Sequence, residues 1–305
     1  MTKTMAISLG AVAWAAAVVA GPDAEKIKAD GRKFVEDRMW GFDRIVFDFE
    51  GCEAWLVEPE KPAADGRWVW CMEWPGAFQD RTGVPALLKA GYRWVAYNPA
   101  YVGILEPEKH KNLPAGDQTD EMIARRGRLQ AYLVKTLGLR AKCGLVGMSW
   151  GGFYSVRYAS TLPQNVNAMY LDAPLLDFST LPNFGKIDEK TGEPSGLYKG
   201  LRKLYGFDEK GYVGADDPMQ SVNRAEPIAK AGIPILLLYG GKDTTVPPER
   251  NCLVFAPRFE AAGGELTLVR RGTFDHHPHG LEPNESAVIV NFFNRAFAPR
   301  GGTGK

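Results

Sequence analysis

Cys143-Gly144-Leu145-Val146-Gly147-Met148-Ser149-Trp150-Gly151-Gly152 is the stretch that decides the fold. Residues 143–148 are short and apolar, as in a strand buried on both faces, and Trp150–Thr161 continues with helical character. Between them Gly147, Ser149 and Gly151 fit the pattern G-x-S-x-G. A turn from strand to helix this tight has no room for side chains two before and two after the serine, which requires glycine at 147 and 151. The serine is then held out above the sheet beside the first N–H groups of the helix. Phosphate-binding turns and plain tight packing use similar glycines; the strand before and the helix after favour a nucleophile.

Outward from this turn the chain alternates. Upstream, residues 21–40 read as a helix. Arg44–Phe49 and Glu53–Val57 read as a β-hairpin, Trp68–Trp74 as a strand, Val84–Lys89 as a short helix, Tyr92–Tyr97 as a strand and Glu121–Leu137 as a helix. Downstream come strand Val166–Leu171, strand Ile233–Tyr239, helix Pro247–Ala262, strand Leu266–Val269 and helix Glu285–Phe297. Apolar strands alternating with helices predict an α/β fold, a mostly parallel twisted sheet with helices on both faces. Residues 21–300 form one such domain. Residues 174–230 break the rhythm and have the length of a small lid inserted between two strands, over the carboxyl ends where ligands bind. The Gly-rich tail 301–305 is expected to be disordered.

With 45% hydrophobic residues, the composition excludes a disordered or collagen-like chain. Lys plus Arg number 37 and Asp plus Glu 36, so bulk charge argues for no nucleic-acid or anionic-membrane partner. Residues 1–20 carry one cation, Lys3, then an apolar run from Met5 to Ala20 before Gly21-Pro22, the pattern of a signal peptide cleaved after Ala20. The expected product is secreted or periplasmic, with no stable membrane insertion after cleavage. Export permits disulfides, and Cys52 with Cys71 is one candidate pair on neighbouring strands; buried free thiols are the alternative.

A serine hydroxyl needs a base to take its proton as it attacks. Of four histidines, His276, His277 and His279 follow the last strand, in a turn. His276, first after that turn, is the expected base, with His277 the alternative. A His-rich cluster beside Asp275 could also hold zinc, but nothing else supplies spaced ligands, and no metal is expected. The base needs an acid to orient it. Asp243, in the loop after Ile233–Tyr239, gives the order Ser149, Asp243, His276; Asp172 at the end of the preceding strand is the alternative acid, and a helix N-cap or Asx-turn residue is the other role open to Asp243. The Trp150 N–H is one expected oxyanion donor and the Trp74 N–H, before Pro75, the second. Trp74, Tyr101 and Trp150 suit stacking on a sugar or acyl chain, or core packing.

Together Gly147–Gly152, the strand running into Gly240–Pro247 and the His-His-Pro-His run at 276–279 resemble the α/β-hydrolase superfamily, in its acyl-esterase and prolyl-oligopeptidase-like branch. The His276–Leu281 ending is similar to that of a group of exported bacterial hydrolases associated with glycan breakdown. The resemblance implies a cofactor-free serine hydrolase that cleaves carboxylic esters, of small molecules or glycans, through an acyl-enzyme. A serine peptidase acting on small peptides and an inactive hydrolase fold used as a binding module are the alternatives. The sequence departs from the family in lacking a lipase-like His-Gly or Gly-Gly oxyanion segment and in doubling the histidine. Oligomeric state leaves no mark in the sequence.

Overall fold

A computed structural model describes residues 21–73, 75–97, 104–105, 119–181, 189–192 and 216–299. The expected signal segment and tail lie outside these residues, as do Trp74, Tyr101 and most of the segment expected to form a lid.

The described strands form one nine-stranded sheet in the order β1-β2-β3-β5-β4-β6-β7-β8-β9. β1 (Phe34–Met39), β2 (Phe42–Phe49), β3 (Cys52–Val57) and β5 (Arg93–Tyr97) pair antiparallel. From β5 through β4 (Trp68–Cys71), β6 (Cys143–Met148), β7 (Val166–Asp172), β8 (Ile235–Gly240) and β9 (Leu266–Arg271) every pairing is parallel. The mostly parallel sheet expected from the apolar strands is therefore present. The helical reading of 21–40 is corrected: α1 (Pro22–Ala29) ends before β1, which pairs in register with β2 from Phe34↔Phe47 to Met39↔Phe42. Residues of β1 are half-buried or exposed, so the apolar spacing there reflected an edge strand rather than a helix face.

Helices cover both faces, each closing a separate apolar layer. On one side α1, α3 (Asp120–Tyr132), α4 (Trp150–Thr161), α5 (Ala225–Lys230) and α6 (Cys252–Ala261) bury Ile27, Leu129, Phe153, Ile228 and Phe255 against alternate strand residues such as Leu145 and Leu237. On the other, α2 (Val84–Lys89) and α7 (Ala287–Phe297) bury Leu87, Ile289 and Phe293 against Val146 and Leu238. Adjacent strand residues thus serve opposite layers, which is why these strands are apolar throughout.

Cys52 and Cys71 are not on neighbouring strands, because β5 lies between β3 and β4; all four cysteines are buried free thiols. Among the described residues no helix is long and apolar enough to cross a membrane.

Candidate active site

Ser149 sits between β6 and α4 with φ 49° and ψ −118°, a conformation a non-glycine residue adopts only under constraint. The constraint comes from both sides. Its N–H donates to the Asp172 carbonyl at the end of β7, at 3.0 Å, and its carbonyl accepts the N–H groups of Gly152 and Leu175, each at 2.9 Å. The glycine requirement has a measurable cause: a Cβ on Gly147 would lie 2.5 Å from the Gly151 carbonyl oxygen and from Ser155 Oγ. A Cβ on Gly151 would lie 3.0 Å from Glu73 Cβ, in the segment following β4. Ser149 and Trp150 are half-buried. The Trp150 N–H belongs to the first turn of α4, whose amides have no intrahelical acceptor and carry the positive end of the helix dipole.

The structure brings Ser149, His276 and Asp243 into one hydrogen-bonded chain. Ser149 Oγ is 3.0 Å from His276 Nε2, and His276 Nδ1 is 2.8 Å from Asp243 Oδ2. Asp243 Oδ1 accepts the N–H groups of Thr245 at 3.0 Å and Val246 at 2.7 Å, which hold the carboxylate behind the imidazole. Both His276 and Asp243 are buried. The loops carrying them are stitched together by Gly241 N–H to the Arg271 carbonyl and Lys242 N–H to the Phe274 carbonyl. Gly240 permits this approach, since a Cβ there would meet the Asp275 carbonyl oxygen at 2.3 Å. The Asp275 carboxylate accepts the backbone N–H groups of His276 and Thr244, which hold its carboxyl below the usual range.

The alternatives weighed from sequence occupy other places. Asp172 is fully buried, but it faces His279 rather than His276. Its Oδ1 accepts from His279 Nδ1 at 3.0 Å and Arg271 Nη2 at 2.9 Å, and its Oδ2 from the Tyr170 hydroxyl at 2.7 Å and the Gly280 N–H at 2.6 Å. Burial alone would raise the Asp172 carboxyl; the His279 hydrogen bond and charge, then Arg271 and the Tyr170 hydroxyl, outweigh burial and hold it below its ordinary value. Arg271 Nη1 also binds the carbonyls of Pro278 and Gly280, so this buried cluster braces the whole histidine loop. Its partners were not foreseen from sequence. The available signal was an acid closing an otherwise apolar strand, Tyr170-Leu171-Asp172, which has to be paired if it is buried. His277 is exposed, and its ring stacks on Phe78 with centroids 5.7 Å apart. Burial first, then the neighbouring His279 and His276, hold it below the ordinary histidine value. Trp74, the expected second oxyanion donor, lies outside the described residues.

A pocket of about 400 Å³ opens on Ser149 and the three histidines, with Ala77, Phe78, Trp150, Leu181 and Val246 supplying an apolar wall. Its volume is that of a small-molecule site, and its polar groups are few and convergent. A second hollow of about 490 Å³ beside Asn223 and Arg258 has no serine, cysteine or histidine among its described lining residues.

A family model described as alpha/beta hydrolase fold matches residues 72–202. Among solved structures, the dipeptidyl peptidase 4 of Porphyromonas gingivalis superposes with a TM-score of 0.55 at 13% identity, covering 85% of this chain and 35% of its own. The acylaminoacyl peptidase of Pyrococcus horikoshii gives 0.55 at 15% identity, over 87% of this chain and 41% of its own. This chain therefore spans well under half the length of either peptidase. An S-formylglutathione hydrolase from Agrobacterium tumefaciens gives 0.53 at 16% identity, over 86% of this chain and 95% of its own. No curated protein sequence matches the chain. The family match over residues 72–202, the strand order and the serine turn at 149 together show that the chain has the α/β-hydrolase fold.

Proposed function

We propose that the protein is an exported serine hydrolase that cleaves carboxylic esters of small molecules or acylated glycans through an acyl-enzyme. The observation that carries this is the unbroken chain from Ser149 Oγ through His276 to Asp243, opening on the mostly apolar pocket. Ser149 attacks the ester carbonyl while His276 Nε2 takes its proton. Asp243, hydrogen-bonded to Nδ1, fixes the tautomer and stabilises the imidazolium. The Trp150 N–H faces the oxyanion, with the Trp74 N–H as second donor. His276 then gives its proton to the departing alcohol, and the acyl group stays on Ser149. Water attacks next, with His276 again the base, releasing the acid and restoring the serine.

The ester preference is supported by the size and the mostly apolar wall of the pocket on Ser149. Export is supported by the apolar run ahead of Gly21-Pro22; a mature protein recovered from the medium or periplasm should begin at Gly21.

The deciding experiment combines a fluorophosphonate probe with p-nitrophenyl acetate turnover. The parent should label and turn over, and Ser149→Ala should lose labelling and on the order of 10⁴–10⁶ in kcat with an unchanged circular dichroism spectrum. Substantial residual turnover in Ser149→Ala removes the nucleophile. A panel of acetylated, feruloylated and methyl-esterified glycans against arylamides then separates ester from peptide chemistry.

A further inference from the structure

Three imidazoles meet at the wall of the pocket. The ring centroids of His276, His277 and His279 lie 4.8, 4.9 and 5.0 Å apart pairwise. One ring nitrogen from each falls within 4.8 Å of the other two. Two of the rings are fixed from behind by buried carboxylates: Asp243 accepts from His276 Nδ1 at 2.8 Å and Asp172 from His279 Nδ1 at 3.0 Å. A proton committed to a carboxylate at Nδ1 leaves Nε2 as a lone pair directed the other way. His276 spends that lone pair on the Ser149 hydroxyl. His279 is 2% exposed, lines the pocket, and its Nε2 has no hydrogen-bond partner among the described residues. A buried, unsatisfied acceptor is costly, and this one sits in a loop whose other polar groups are braced by Arg271, Asp172 and Arg81.

We propose that His276, His277 and His279 form a binding site for one divalent transition cation, with zinc the best chemical match, and that its occupancy silences Ser149 by taking the His276 lone pair. Imidazole nitrogen is a standard zinc ligand, and a metal-bound histidine characteristically donates its other N–H to a carboxylate or carbonyl. That second layer is already built here for two of the three rings. Zinc–nitrogen bonds of about 2.1 Å place tetrahedral ligands roughly 3.4 Å apart, so the ring nitrogens must close in. The exposed His277 ring has the freedom to supply that movement. Arg271 offsets the charge of Asp172, whereas among the described residues Asp243 is hydrogen-bonded by the backbone N–H groups of Thr245 and Val246 and by His276, with no cationic side chain on it, so its negative charge favours a cation in front of the ring. The remaining coordination position is open to water.

Metal binding is independent of the serine chemistry; the silencing clause rests on the proposed hydrolase function. The test uses the full chain, stripped with a chelator, and zinc alone as probe. Calorimetry should show saturable uptake of one equivalent, reversed by chelator. His277→Ala should weaken it at least about tenfold, the lower bound of what even an outer partner of a metal ligand contributes. Over the same zinc range, fluorophosphonate labelling of Ser149 should fall and recover on chelation, and in His277→Ala that range should move up by the factor read in calorimetry. Absence of saturable uptake up to millimolar zinc, or uptake unchanged in His277→Ala, overturns the site. Uptake without loss of labelling, or faster labelling, overturns the silencing. A protein that never labels, with or without zinc, fails the hydrolase proposal while calorimetry still decides the metal site.

Discussion

Replacing Asp172 with asparagine isolates the cluster that braces the histidine loop. All four acceptor positions of this buried carboxylate are filled by donors: the Tyr170 hydroxyl and Gly280 N–H on Oδ2, and Arg271 Nη2 and His279 Nδ1 on Oδ1. An asparagine amide offers only one acceptor oxygen. Whichever way it turns, its NH₂ faces a donor that cannot reverse, the Gly280 amide on one side or the Arg271 guanidinium on the other. The guanidinium is also left buried without its counter-charge. Breaking a buried pair this way costs about 3–5 kcal/mol. At about 2–4 °C per kcal/mol for a domain somewhat smaller than this one, the melting temperature should fall by about 6–20 °C. Thermal unfolding followed by circular dichroism at neutral pH measures it. The pH dependence supplies a second reading. The Asp172 carboxyl is held below its ordinary value in the folded state, so its charge contributes stability above the unfolded value near 4, and that contribution is lost as pH falls through and below it. Asp172→Asn should therefore lose less melting temperature between about pH 5 and pH 3 than the parent does. A melting temperature within about 2 °C of the parent at neutral pH refutes the assignment, because a shift that small is worth no more than about 1 kcal/mol.

Asp243→Asn should lower kcat on p-nitrophenyl acetate by about 10⁴, the cost of a wrong tautomer in a related constellation, which is about 5.4 kcal/mol of barrier; a loss under tenfold would contradict the role of Asp243. His276→Ala should lose most of the rate, while His277→Ala, whose ring touches neither Ser149 nor Asp243, should stay within about tenfold of the parent, since it gives up no proton-transfer step. The reverse ranking would exchange the base. Gly147→Ala drives a Cβ to 2.5 Å from the Gly151 carbonyl oxygen, which backbone must yield to accommodate. A stability loss of about 1–3 kcal/mol in urea titration, with a fall in fluorophosphonate labelling rate, is the expected outcome. An unaltered labelling rate would show that the turn has slack.

Most of the parallel half of the sheet was legible because its strands, apart from the edge strand β9, are buried on both faces and read as apolar runs. Cys143–Met148 and Trp150–Thr161 fall where the sequence put them, and the serine turn between them leaves a local signal in Gly147 and Gly151, although Asp172, Leu175 and Glu73 also hold it from a distance in sequence. Asp243 and His276 were accessible because each stands a few residues past the end of a strand, β8 for Asp243 and the edge strand β9 for His276. The edge was harder. Phe34 to Met39 carry apolar and charged residues on a half-exposed surface, where helical and extended spacings both fit, and only pairing with β2 selects the strand. Strand order is a property of long-range pairing, so nothing local revealed that β5 separates β3 from β4 and parts Cys52 from Cys71. The choice between Asp172 and Asp243 likewise depended on which histidine each acid reaches, and that is fixed by how the 276–281 loop turns back under Arg271.

Ser149, Asp243 and His276 each leave the sheet just beyond the same edge of β6, β8 and β9, while the chain from Asp172 departs at β7 and re-enters beside it at β8. Both ends of that excursion are anchored by ladder pairing, from Met169↔Ile235 to Asp172↔Leu238. Its described flanks carry part of the serine turn and of the core, since the Leu175 N–H holds the Ser149 carbonyl and Ile228 closes the apolar layer, so an exchange that keeps residues 173–181 and 216–234 leaves these described contacts in place. On the proposed hydrolase reading, a graft between those two flanks is where a new selectivity could be installed while Ser149, Asp243 and His276 keep their present geometry.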